Sequence, residues 1–170
     1  MIKRIMLLVG VSLTLPTMAQ AHDFVVLGAQ ADASVCFREA ASDVPRPDAL
    51  QYCDRALQDE NIADGDRLAT FVNRGVVNYK AKRFDQAMAD FNHVLAIDPD
   101  QPDALINKGL VVLSTGGSAS EALYLLNAGL AGGPRMPWVG YYGRAFAHEV
   151  AHRDALAYRD YKQAQALQPG

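Results

Sequence analysis

The sequence predicts an all-α protein built from repeated helical hairpins. Pro99, Pro134 and Pro169 lie 35 residues apart, and each closes a similar phrase. The three phrases are FNHVLAIDP, LNAGLAGGP and YKQAQALQP. A period of this length is typical of units that cannot bury their apolar face alone and therefore stack on their neighbours. Such repeat architectures indicate binding before they indicate chemistry.

Small and bulky residues recur at fixed positions before each of these prolines. Counting from Gly75, a small residue follows at position 12, a bulky one at 16 and the proline at 24, and the same series begins at Ala145. The series from Gly109 runs one residue late, after an insertion in the turn at 116–118. Small residues let two helices approach closely, and a larger residue fills the space beside them. The matching pairs are Ala87 and Phe91, Ala122 and Leu126, and Ala157 and Tyr161.

This pattern predicts where the helices begin and end. Each closing proline ends the second helix of a pair, because proline disfavours a helical residue before it. Upstream, Ala49, Cys53 and Ala56 reproduce the spacing of a second helix and predict a degenerate first hairpin at 31–58. Residues 22–30 are assigned to an N-terminal arm. The six later helices are expected at 67–81, 84–97, 102–115, 119–131, 138–151 and 154–167.

The offsets resemble those of the tetratricopeptide repeat (TPR) family, whose unit is a helix–turn–helix of 34 residues with a closing proline. The resemblance covers 67–170 closely and 31–58 weakly. It implies a right-handed α–α superhelix of about three TPR hairpins after the degenerate N-terminal one. The three repeats would span about 67–101, 102–136 and 137–170.

The first 21 residues have the form of a secretory signal peptide. Lys3 and Arg4 precede an apolar run, and the triplet at 19–21 is a cleavage site of the Ala-x-Ala type. The run is about half the length that a membrane-spanning helix needs, so no membrane insertion is expected after cleavage. The expected location is therefore periplasmic or secreted.

The overall charge excludes some classes of partner. Cleavage after Ala21 would remove two basic residues and no acidic one, which moves the formal charge from −3 to −5. A mildly acidic chain is a poor binder of nucleic acid. No phosphate loop, nucleophile elbow or Cys-x-x-Cys motif occurs, and no cofactor is expected.

The only two cysteines, Cys36 and Cys53, fall on the two helices of the predicted first hairpin. In an exported protein this placement predicts a structural disulfide. Two buried free thiols are the alternative.

One short motif suggests catalysis. His148-Glu149-Val150-Ala151-His152 matches His-Glu-x-x-His, in which two histidines bind zinc and the glutamate acts as a general base. The longer form of the motif would need a glycine and a histidine where the chain has Ala155 and Tyr158. We therefore expect no metal site, and assign His148 to helix packing and His152 to a turn.

The resemblance to the TPR family also implies where a ligand would bind. In that family the first helices of successive hairpins line a concave groove that holds peptides or helices. The groove positions in this chain are mostly apolar, and two asparagines suit the backbone of an extended peptide. The expected groove residues are Val72, Asn73, Val76, Tyr79, Ile106, Asn107, Leu110, Leu113, Tyr142 and Phe146.

The function expected from these observations is a non-enzymatic adaptor or assembly factor in a bacterial envelope, which binds a protein or peptide in an apolar groove. Two alternatives stay open. One is a zinc-dependent peptidase that uses His148, Glu149 and His152. The other is a structural, self-assembling envelope protein whose groove holds its own arm, residues 22–30. A homodimer through the C-terminal hairpin, which no polar cap covers in the sequence, is a further expectation.

Overall fold

The computed structural model describes residues 29–168. Over this part of the chain it contains eight α-helices and no strand, which confirms the all-α prediction. The predicted signal peptide and residues 22–28 of the predicted arm lie outside the described residues. The helices are α1 (Ala29–Ala41), α2 (Ala49–Gln58), α3 (Asp64–Lys80), α4 (Phe84–Ile97), α5 (Pro102–Ser114), α6 (Ala119–Ala131), α7 (Pro137–Val150) and α8 (Asp154–Leu167).

The observed helix ends differ from the predicted ones mainly at the start of the chain. Helix α1 begins at Ala29, so two residues assigned to the arm belong to this helix. Helix α3 begins at Asp64 rather than at residue 67. Asp64 and Asp66 lie in its first turn, where a negative charge is favourable beside the positive end of the helix dipole. The polar linker therefore contributes one more helical turn than its composition suggested.

Successive helices pair into four hairpins, which we number 1 (α1–α2), 2 (α3–α4), 3 (α5–α6) and 4 (α7–α8). Each hairpin packs on the next through its neighbouring helices. The odd-numbered helices also contact one another in the order α1, α3, α5, α7. The even-numbered helices contact no other even-numbered helix within the described residues. The odd-numbered helices thus form a continuous layer.

The recurring small residues lie where the two helices of a hairpin cross. A Cβ atom added to Gly75 would come within 2.5 Å of the ring of Phe91, and one added to Gly109 would come within 3.0 Å of Leu126. Phe91 and Leu126 are completely buried. The fixed spacing in the sequence therefore corresponds to close contact between the helices.

Hairpins 2 and 4 each contain a buried ion pair that sequence reasoning missed. Both oxygens of the Asp90 carboxylate accept hydrogen bonds from Arg74, at 3.1 and 2.7 Å. Asp160 accepts from Arg144 in the same way, at 2.7 and 2.9 Å. The two aspartates are 4% and 2% exposed. Each pair joins the first helix of its hairpin to the second.

The two arginines also reach back to the preceding hairpin. The third contact of Arg74 is with Asp54 on α2 at 2.8 Å, and that of Arg144 is with Asn127 on α6 at 2.9 Å. Asp54 and Asn127 occupy equivalent positions in their hairpins, once the inserted residue is counted. Each arginine therefore links two neighbouring hairpins. The hydrogen bonds to Asp90 and Asp160 are the main cause of the raised pKa of these two guanidinium groups.

The disulfide between Cys36 and Cys53 joins the helices of hairpin 1, as predicted. Both residues are completely buried, next to Val77 of hairpin 2. Lys80 of hairpin 2 donates to the carbonyls of Ala40 and Ser42, at 2.7 and 2.6 Å. A cation there stabilises the C-terminal end of α1, whose last carbonyls have no partner within the helix. Among the described helices, none has the length and apolarity of a membrane-spanning segment.

Candidate functional site

The layer of odd-numbered helices carries a surface depression that we call the inner cleft. It lies over α3, between α1 on one side and α5 on the other. Two adjoining cavities of about 70 and 150 Å³ form it, and both are lined by Ala40, Ala41, Val76, Asp103, Asn107 and Met136. A third depression of about 220 Å³ continues along α5 and α7.

All ten residues predicted for the groove line one of these three depressions. They are not equally accessible. Val72, Ile106 and Leu113 are only 6%, 2% and 8% exposed and belong to the core beneath the surface. Tyr142 and Phe146 are 55% and 41% exposed. The other five are half-buried, as expected for side chains that form the floor and walls of a cleft.

Two asparagines at equivalent repeat positions lie side by side in the inner cleft. Asn73 is on α3, and Asn107 is on α5. The amide nitrogen of Asn107 donates to the carbonyl of Asp103 one turn earlier, at 2.7 Å, which leaves its amide oxygen as an acceptor. Neither side chain is fully buried. Because an amide both donates and accepts, the pair could bond to the backbone of a bound peptide.

Sequence reasoning missed the wall and the rim of the cleft. Phe37 on α1 lines one side, Arg135 and Met136 come from the turn before α7, and Trp138 lies in the first turn of α7. The Arg135 guanidinium lies 5.2 Å from the centre of the Phe37 ring. One signal was available, since Phe37 occupies the position where the other hairpins have Gly75, Gly109 and Ala145. A side chain as large as phenylalanine does not fit between two closely crossing helices, so the sequence could have indicated that Phe37 faces the surface.

Arg135 also holds the rim to α5. Its backbone N–H donates to the Asp103 carboxylate at 3.1 Å. At the other end of the cleft, Lys80 lies in its lining, and its amino group donates to the carbonyls of Ala40, in the last turn of α1, and of Ser42, just after that helix. Burial lowers the pKa of Lys80. Lys80 and Arg135 thus lie at the two ends of the cleft, whereas Asp103 lines both of its cavities together with the two asparagines and the apolar side chains.

The His-Glu-x-x-His segment is not arranged as a metal site. Helix α7 ends at Val150, and His152 lies in the following turn with a positive φ of 54°. His148 is buried and points at Asp160, with 3.9 Å between its Nε2 and the carboxylate. Glu149 accepts a hydrogen bond from the Tyr161 hydroxyl at 2.8 Å. The described residues contain no group of three side chains placed to hold a metal ion.

The electrostatic environment of this segment is that of a packed hairpin end. Burial lowers the pKa of His148, and the nearby Arg144, Arg153 and Arg159 lower it further, whereas Asp160 raises it. Within the described residues, the buried Nδ1 of His148 has no hydrogen-bond partner. Burial and the bond to Glu149 raise the pKa of Tyr161 to about 12. His148 and Glu149 thus both contact residues of α8, Asp160 and Tyr161.

Comparison with known proteins gives no assignment. No family model matches the chain, and no curated protein matches it.

Proposed function

We propose that this protein is an exported, non-enzymatic binding protein of the TPR type, which holds a peptide or helix of a partner protein in its inner cleft. In this proposal the four hairpins form a right-handed superhelix, and the layer of odd-numbered helices is its concave side. The protein would act as an adaptor or assembly factor in the envelope of a bacterium. The observation that carries the proposal is the cleft along that layer, which is lined mainly by apolar side chains, by the asparagine pair and by Asp103.

The repeat geometry supports this architecture. The helix-crossing residues recur at equivalent offsets in hairpins 2 and 3 once the inserted residue is counted, and the arginine contacts recur in hairpins 2 and 4. A regular offset between neighbouring units produces a solenoid with an extended concave surface. The disulfide in hairpin 1 is compatible with export, because disulfides persist mainly in oxidising compartments.

The lining favours an extended peptide with apolar side chains. Val76 and Leu110 are half-buried on the floor of the cleft and offer contact without charge. The cavities are small, with the larger one in the inner cleft about 150 Å³, so one or two side chains would fill them. Asn73 and Asn107 would then bond to the peptide backbone between those side chains.

The test uses the only tryptophan of the chain, Trp138, which lines the cleft. Peptides of 12 residues displayed on phage are selected on the purified chain, and a selected peptide is synthesised and titrated while Trp138 emission is recorded. We expect saturable binding with a change in emission. Because each lost hydrogen bond costs about 1 kcal/mol, Asn73→Ala with Asn107→Ala should weaken binding roughly tenfold or more.

The matched control is Asn92→Ala, which removes an exposed asparagine from α4, outside the cleft. It should leave the dissociation constant unchanged. Selected peptides that bind equally well to the Asn73 and Asn107 double variant, without any change in Trp138 emission, would show that the cleft is not the binding site.

A further inference from the structure

The hairpins of this chain pack on one another through three recurring positions. In hairpins 2 and 3 these positions hold apolar side chains that the next hairpin covers fully or in part, and two of them, Val76 and Leu110, also line the inner cleft. The first position is Val72 or Ile106, which are 6% and 2% exposed. The second and third hold half-buried residues that belong to the same cores or touch the next hairpin: Val76 and Leu110, and Met88 and Leu123.

Hairpin 4 has aromatic residues at all three of these positions, and the structure leaves them exposed. Tyr142, Phe146 and Tyr158 are 55%, 41% and 66% exposed. Together they form what we call the aromatic face, on the side of α7 and α8 that corresponds to the covered side of the earlier hairpins. Three positions that pack between neighbouring hairpins elsewhere in the molecule therefore carry exposed aromatic side chains in hairpin 4.

Hairpin 1, the first hairpin of the described residues, is polar on the corresponding outer side. Hairpins 2, 3 and 4 meet the preceding hairpin with Val77, Val111 and Ala147, all nearly or completely buried. Hairpin 1 has Glu39 at this position, where its carboxylate pairs with Arg46 at 2.8 Å. Beside it, Asp32 pairs with Arg55 at 2.9 Å.

We infer that the aromatic face packs on the aromatic face of a second copy of this chain, about a twofold axis. Stacking of hairpin 4 on hairpin 1 of another copy would press the aromatic face onto Glu39 and Asp32 and strip water from their ion pairs, which is costly. A twofold arrangement instead places apolar surface on apolar surface, since each copy presents the same patch.

The charges that border the aromatic face fit this arrangement. Glu149 lies on α7 and Lys162 on α8, and both are exposed. In the equivalent position to Lys162, Asp54 and Asn127 contact the next hairpin. A twofold axis lets Glu149 of each copy face Lys162 of the other, because every contact in such an interface occurs twice.

The area of the face predicts a weak dimer. A buried aromatic side chain contributes about 200 Å², so three half-exposed rings offer roughly 300 Å² per copy. Stable complexes bury about 800 Å² per partner. We therefore expect association in the upper micromolar range rather than a permanent dimer.

The experiment is sedimentation equilibrium of the purified chain from about 10 µM to 1 mM, with circular dichroism to verify folding. We expect a concentration-dependent dimer that weakens at least tenfold in Tyr158→Glu and in Tyr142→Glu with Tyr158→Glu. Tyr124→Glu is the matched control, since Tyr124 is 73% exposed on α6 but lies outside the face. It should dimerise as the unmodified chain does.

Three results would overturn the inference: a monomer at every concentration, a dimer that survives in the folded double variant, or equal loss of the dimer in Tyr124→Glu. The inference does not rest on the proposed function, because Asn73, Asn107 and Trp138 take no part in it, although Tyr142 and Phe146 also line the third depression.

Discussion

Hairpins 2 and 4 differ from hairpin 3 in how they join their two helices. Hairpin 4 uses the buried pair of Arg144 and Asp160, and hairpin 2 uses the equivalent pair. At the matching positions, hairpin 3 has Lys108 and Leu125, and Leu125 is 7% exposed within an apolar core. The same helix crossing is thus maintained by an ion pair in two units and by apolar contact in the third.

Hairpin 1 adds a third variation. Cys36 occupies the position of the arginine, and Cys53 the position that holds Phe91 in hairpin 2. Hairpins 2, 3 and 4 therefore share a small residue at the helix crossing, whereas the group that joins the two helices varies among the hairpins. Buried ion pairs often add little net stability, so we expect these two pairs mainly to fix how the helices of hairpins 2 and 4 pack. Removal of one partner should nevertheless lower the free energy of unfolding strongly, because it leaves an unpaired charge buried.

The largest expected effect comes from Arg144→Leu. Asp160 is 2% exposed, and this change would leave its carboxylate buried without its main partner. We expect the free energy of unfolding to fall by about 3–5 kcal/mol. Urea denaturation followed by circular dichroism measures it.

A second variant tests directly whether the contacts that join the helices in hairpins 3 and 4 are interchangeable. Arg144→Lys with Asp160→Leu gives hairpin 4 the residues of hairpin 3. If the two hairpins use interchangeable contacts, this double change should recover most of the stability lost in Arg144→Leu. An equal or larger loss would show that hairpin 4 depends on its ion pair for more than charge balance.

Removal of the disulfide should have the next largest effect. Cys36 and Cys53 are 17 residues apart, and closing a loop of about this length stabilises by roughly 3 kcal/mol. We expect Cys36→Ala with Cys53→Ala to lower the urea midpoint accordingly. Reductant should then have no further effect on the double variant, whereas an unchanged midpoint would contradict the estimate.

Substitution of the glycine at the helix crossing should destabilise hairpin 2 more than hairpin 3. An added methyl group at Gly75 meets the rigid Phe91 ring at 2.5 Å, whereas at Gly109 it meets Leu126 at 3.0 Å. We expect Gly75→Ala to cost about 1–3 kcal/mol and Gly109→Ala less, because an aliphatic side chain adjusts more easily. Gly65→Ala, with no atom within 4 Å, is the control and should be neutral or stabilising in thermal denaturation.

The smallest effect concerns pH. The pKa of His148 is lower in the folded chain than its ordinary value of 6.5, so below pH 6.5 the unfolded chain takes up this proton first. The contribution of His148 to the free energy of unfolding is therefore fully present above pH 6.5, and it is lost as the pH falls through the pKa that His148 has in the folded chain. His148→Asn, which copies Asn78 of hairpin 2, should reduce this decline. If the stability of this variant falls with pH as steeply as that of the unmodified chain, then His148 is not the cause of the decline.

Much of the fold could be predicted because the residues that cause a helix crossing and a helix end recur at regular spacing in the sequence. The spacing from Gly75 to Phe91 and to Pro99 reports a helix crossing and a helix end, and the helices follow from it. The arginine–aspartate pairs were also visible in principle, since both have a separation of 16 residues at the same repeat offset. They were missed because charged residues on a helix usually face solvent.

The rim of the candidate site could not be predicted. Asn73 and Asn107 follow from the repeat offsets, but the approach of Arg135 to Phe37 joins the turn before α7 to α1, and no local sequence pattern predicts a contact between such distant parts of the chain. The depth of each side chain also depends on how neighbouring hairpins pack, and Val72 and Ile106 lie in the core beneath the cleft rather than on its surface.

The contact of Arg135 with Phe37 has a consequence for how the chain unfolds. In a repeat array, stability is approximately a sum over units and their nearest neighbours, so an end unit can fray without affecting the other end. Here the first hairpin touches the turn that precedes the fourth. Loss of hairpin 1 would therefore also release the start of α7, and the array should unfold more cooperatively than its linear order of hairpins implies.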